Sequence, residues 1–209
     1  MMRRVRALFV LAALPVAALP LVVLPAFAQT ASGAAHLPAP QDAAPLMPRY
    51  LLMDVQGRAV TQEDFRGRFQ LVSFGFISCP DVCPTTLLEV KQILEGLGDQ
   101  SARLQPIFIT VDPARDTREV LRDYTAAFDT RILGLTGSAE LVRRAAESFR
   151  VQYEIVREPG SAPDNYTMSH TAGMVLLDIH GRFLARFPYG MAVGEIGERI
   201  RAAMAGEGR

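Results

Sequence analysis

The chain's two cysteines, Cys79 and Cys83, lie in segment 74–84, which reads Phe-Gly-Phe-Ile-Ser-Cys-Pro-Asp-Val-Cys-Pro. If this segment enters a helix, positions i and i+4 share one face and both sulfurs point to one place. At a helix amino end the dipole favours thiolate, the form that metals and disulfide exchange both require. A purely structural disulfide is weakly motivated. Closing a loop of about five residues yields only ~2 kcal/mol, against ~4.7 kcal/mol for about 100 residues. Two functional readings remain. In one, Cys79 and Cys83 cycle between dithiol and disulfide; the three residues between them exceed the usual two, but the i to i+4 distance still suits a disulfide. In the other, two thiolates hold a soft metal ion, and a third donor of nitrogen type would complete a trigonal site suited to copper in either oxidation state.

Three histidines compete for that third place. His36 lies in an Ala/Pro-rich stretch. His180 lies in an apparent hairpin turn, where a polar side chain needs no further explanation. His170 follows a breaker-rich loop and precedes the apolar run 172–178, at a strand end from which a sheet can aim it toward the sulfurs. A structural histidine is the plain alternative there. Zinc competes for two sulfurs and a nitrogen, but a structural zinc site wants four ligands and the chain has no third cysteine. Copper also stands above zinc in the affinity order for such donors.

The elements that must position these side chains follow from hydrophobic periodicity. Residues 71–77 form a short β-rich run that predicts a buried central strand. Leu87, Val90, Leu94 and Leu97 predict one face of a helix over 85–97, ended by glycines. Residues 106–111 predict a second strand, and the turn-rich segment 112–116 leads to a helix through Val120, Leu121, Tyr124 and Phe128. A brief strand at 132–135 precedes a helix capped by Ser138, and 151–156 predicts a further short strand. Residues 158–165 read as a loop. Around Gly57 and again around His180-Gly181, apolar runs pair as hairpins, and a last helix carries Val193, Ile196, Ile200 and Met204. Strand and helix alternate, so the prediction is an α/β fold of thioredoxin type: a mixed central sheet flanked by helices, with a terminal β-hairpin and a C-terminal helix.

Length and composition fit one globular domain with accessory sequence: 209 residues, 49% hydrophobic, 22 basic and 22 acidic side chains. That balance, with no basic cluster, argues against nucleic acid as a partner. Residues 1–6 carry three arginines, 7–28 are apolar, and Ala26-Phe27-Ala28 is a small-x-small cleavage pattern. Residues 1–28 therefore read as an export signal, or, uncleaved, as a membrane anchor through 7–28. Pro15, Pro20 and Pro25 favour the signal, since each would disturb a spanning helix. Residues 29–48 read as an Ala/Pro-rich linker and 49–209 as the globular domain.

Three segments carry a family resemblance. Segment 74–84, segment 108–117 (Phe-Ile-Thr-Val-Asp-Pro-Ala-Arg-Asp-Thr) and segment 166–171 (Tyr-Thr-Met-Ser-His-Thr) resemble, in order and separation, the Sco/SenC family of copper-binding assembly factors for cytochrome c oxidase. The resemblance runs over 49–204 and includes Gly134-Leu-Thr-Gly137. It implies a thioredoxin-like domain behind an export or membrane segment, placed in the periplasm and free or tethered to the inner membrane. It also implies one copper ion held by Cys79, Cys83 and His170. The implied partner is cytochrome c oxidase subunit II, whose binuclear copper centre would receive copper or have its cysteines reduced. Asp81, Asp112 and Asp116 match acidic motif positions, with turn formation and capping as their plain reading. The chain departs from the family pattern at Ile77, where Thr or Ser is usual, and at Ser169, where an acid is frequent, so one charge near the histidine is absent. Met168 is expected in the core rather than as a thioether ligand.

Overall fold

Strands buried on both faces make the centre of this fold, and they are the apolar runs of the sequence. The computed structural model describes residues 47–162 and 164–207; the expected signal or anchor over 1–28, most of the linker, and His36 lie outside the described residues. In chain order the elements are β1 (Leu51–Asp54), β2 (Ala59–Thr61), β3 (Phe69–Gly75), α1 (Val82–Leu97), β4 (Leu104–Thr110), α2 (Arg118–Phe128), β5 (Leu133–Thr136), α3 (Ala139–Ser148), β6 (Tyr153–Val156), β7 (Thr167–His170), β8 (Met174–Leu177), β9 (Phe183–Phe187) and α4 (Val193–Gly206). Short 3-10 turns follow β2 and α1.

A seven-stranded mixed sheet runs in the order β2-β1-β5-β4-β3-β8-β9. Strands β3, β4 and β5 are parallel, and β8 and β1 join this core antiparallel on its two sides. Every residue of β3 and β4 is buried, which is why both read as continuous runs rather than alternating ones. Helices α1 and α4 pack together, α2 lies against β5 and α3 against β1. The predicted mixed sheet, terminal hairpin (β8 with β9) and closing helix are all present.

Both hairpins are made by the same device. Asp54 accepts from the Gln56 and Arg58 amides and pairs with the Arg58 guanidinium. Asp178 does the same with His180 and Arg182. In each, a glycine three residues after the aspartate takes a left-handed conformation, Gly57 at φ 84° and Gly181 at φ 79°, which a side chain would oppose. His180 thus belongs to a structural turn.

Two boundaries differ from the sequence expectation. Helix α1 starts at Val82, not at 85, and takes in Pro84, whose missing N–H lies in a first turn that has no helical acceptor. His170 lies at a strand end before β8 as expected, but it closes a strand, β7, that the sequence pattern does not mark. Among the described residues β7 pairs only with β6, as a separate two-stranded ribbon.

Candidate metal centre

Strand β3 ends at Gly75 and the chain turns through Phe76 to Asp81 into α1. Cys79 lies in this loop and Cys83 in the first turn of the helix, so the two do not share a helical face as anticipated. They still converge: the Cys83 amide donates to Cys79 Sγ at 3.5 Å. Both cysteines are free, Cys79 half-buried and Cys83 buried at 2% exposure. Gly75 makes room for this. A Cβ there would meet the Phe108 ring at 2.7 Å and Cys83 Sγ at 2.8 Å.

The ribbon brings His170 to the same place, 87 residues away in sequence, with Nε2 at 3.5 Å from Cys83 Sγ. Its Nδ1 lies 3.1 Å from the Thr171 carbonyl. A carbonyl only accepts, so Nδ1 carries the proton and Nε2 presents its lone pair to the sulfur. The ring stands edge-on to Phe76, centroids 6.1 Å apart. Among the described residues no set of three Cys, His, Asp or Glu side chains is closed up at metal-ligand spacing; Cys83 and His170 face each other, with Cys79 beside Cys83.

The electrostatics favour neutral groups when no cation is present. Burial pushes the Cys83 thiol far up, and the nearby Cys79 and Asp116 add to this. Desolvation therefore overrides the helix dipole that was expected to lower it. Burial also pushes the His170 imidazole down, against the Thr171 hydrogen bond, which keeps it neutral and able to donate a lone pair. Two sulfurs and a neutral imidazole with a fixed tautomer suit a soft or borderline cation.

The acids differ in their surroundings. Asp81 is exposed at the head of α1 without capping it, its carboxylate 3.4 Å from the Thr85 hydroxyl. Asp112 and Asp116 are buried at 3% and 2% exposure. Asp116 accepts the Thr110 hydroxyl at 2.6 Å and the Ile77 amide at 3.1 Å, which ties the Cys79 loop to the end of β4. Sequence reasoning missed this role and that of Gly75; the sequence signal was only their closeness to the motif. Met168 is in the core as expected, and Ser169 stands opposite Glu154 across the ribbon. A cleft of about 440 Å³ opens beside His170, lined by Gln152, Tyr153, Glu154, Ser169 and Thr171.

Residues 38–205 match the family model SCO1/SenC. The chain is 35% identical over 150 residues to an SCO2-like protein of Rickettsia felis, covering 72% of this chain and 73% of that one. Among solved structures it is similar to Bradyrhizobium japonicum ScoI with copper bound, at 34% identity and a TM-score of 0.67, over 74% of this chain and 97% of that one. It is likewise similar to yeast Sco1 with copper bound, at 33% identity and a TM-score of 0.65, over 76% and 90%.

Proposed function

The chain belongs to the SCO1/SenC family, and from that premise we propose that it is a copper chaperone whose cargo ion is held by Cys79, Cys83 and His170. One observation carries the reading: Cys83 Sγ and His170 Nε2 face each other at 3.5 Å across 87 residues, with Cys79 Sγ adjacent to the Cys83 amide. The copper-bound relatives support the choice of ion. Loading expels the thiol protons, and the cation offsets the charge that burial opposes. Unloading follows when a recipient's thiolates and imidazoles replace these donors one at a time. The recipient we propose is the binuclear copper centre of cytochrome c oxidase subunit II. The setting is the periplasm, reached through residues 1–28 as a cleaved signal or a retained inner-membrane tether.

The test uses the full chain loaded with Cu(II). Thiolate-to-copper charge-transfer absorption is expected, and His170→Ala should change its energy and weaken copper retention by more than the about ten- to a hundredfold that loss of an outer-shell partner costs. An unchanged spectrum and affinity in that variant would rule out the three-donor site.

A second reading rests on the free and unequal cysteines. Cys79 is partly accessible while Cys83 waits behind it, the arrangement of an attacking and a resolving thiol in a thiol–disulfide oxidoreductase. Cys79 would attack a partner disulfide, Cys83 would then close on Cys79, and the dithiol's two electrons would leave with the partner's reduced thiols. Rapid disulfide turnover by copper-free protein, indifferent to His170→Ala, favours this reading over the chaperone.

A further inference from the structure

The turn 112–116 touches both halves of the site at once. On one side Asp116 holds the Cys79 loop through the Ile77 amide. On the other, Asp112 accepts the Tyr166 hydroxyl at 2.8 Å, and Arg115 Nη1 donates to the Tyr166 carbonyl at 2.8 Å. The Arg115 guanidinium also lies over the Tyr166 ring, 3.8 Å from its centroid, and is itself paired with Asp112. Tyr166 immediately precedes β7, four residues before His170. Among the described residues, the side-chain hydrogen bonds that join 164–170 to anything outside 152–171 are those to Tyr166 and the His170–Cys83 contact itself. Strand β7 has no ladder bonds to the main sheet.

We propose that Arg115, with Asp112 and Tyr166, forms a positioning clasp that sets the reach of His170 toward the thiols. The inference rests on the three-donor reading for its consequence but not for its geometry. A planar guanidinium suits this role because it stacks on the ring, donates to the carbonyl and pairs with the carboxylate in a single orientation, which an ammonium cannot do. With the clasp closed the site offers three donors. With it open the ribbon carries His170 away and leaves two thiols on an undisturbed sheet.

In the full chain carrying Cu(II), Arg115→Ala should weaken the nitrogen hyperfine coupling of the electron paramagnetic resonance spectrum. It should also speed copper loss to a chelator about ten- to a hundredfold, while thiolate absorption persists. Arg115→Lys keeps the charge and should restore neither. Tyr166→Phe keeps the ring and the carbonyl, loses only the hydroxyl bond to Asp112, and should fall in between. In copper-free dithiol protein, the nuclear Overhauser contact between Cys83 and the His170 ring should weaken in the same order. Wild-type coupling, release rate and Overhauser contact in Arg115→Ala overturn the clasp. Failure of the unaltered chain to take up copper overturns the three-donor reading instead, and the copper-free contact still decides the clasp. Should Arg115→Ala fail to fold, the same readouts on Tyr166→Phe decide.

Discussion

At the scale of single residues, the centre is governed by what is packed around the sulfur of Cys83. Gly75 has no side chain where one would strike both Phe108 and that sulfur. Gly75→Ala should therefore cost about 1–3 kcal/mol in urea denaturation and shift the charge-transfer band of the loaded protein, because the strand cannot yield without moving the thiol. Burial of Cys83 has a second effect. Its thiol is held well above the usual range, so a bound cation must displace a proton, and apparent copper affinity should rise at least tenfold per pH unit on going from pH 7 to pH 8. His170 does not oppose this trend. Burial holds its imidazole below the ordinary range, so it is already neutral there. Competition against a chelator at the two pH values checks the slope, and equal affinities would exclude a protonated thiol as the resting state.

At the scale of elements, the site depends on some segment ends and not on others. Ser138 caps α3 by accepting the Leu141 amide, and α3 packs against β1 rather than at the thiols. Ser138→Ala should cost about 1 kcal/mol of stability with copper affinity unchanged, a control that separates general loosening from damage to the centre. Such caps were readable in the sequence because they depend on neighbours three residues apart. So were the buried strands β3 and β4, the apolar face of α1 and both hairpins, where local period and turn chemistry agree with the fold. Other features were not readable. The start of α1 was obscured by Pro84, and the edge of β7 by its pairing with β6. The burial of Asp116 under the Cys79 loop depends on a contact across 39 residues, and no local pattern encodes it. Cys79, Cys83 and His170 were all visible as donors, but their convergence was not. Spacing suggested one helical face for the cysteines, whereas the chain achieves proximity with a loop and a first turn.

At the scale of the whole molecule, the two kinds of donor hang from different structures. The thiols follow directly from β3, the most deeply paired strand, between β4 and β8. The imidazole ends a ribbon whose ladder bonds join only β6 and β7, and which meets the core through Met168. Motion of that ribbon breaks none of the main sheet's ladder bonds, so copper loss should be much faster than amide exchange in β3 and β4 measured on the same sample. Release that keeps pace with β3 exchange would show instead that the core must open. A carrier faces opposed demands, since an ion gripped hard enough to survive transit is slow to surrender. On the three-donor reading, the thiols sit on the sheet while the imidazole ends a ribbon without ladder bonds to it. The third donor's share of the grip can then be surrendered first, before the core opens.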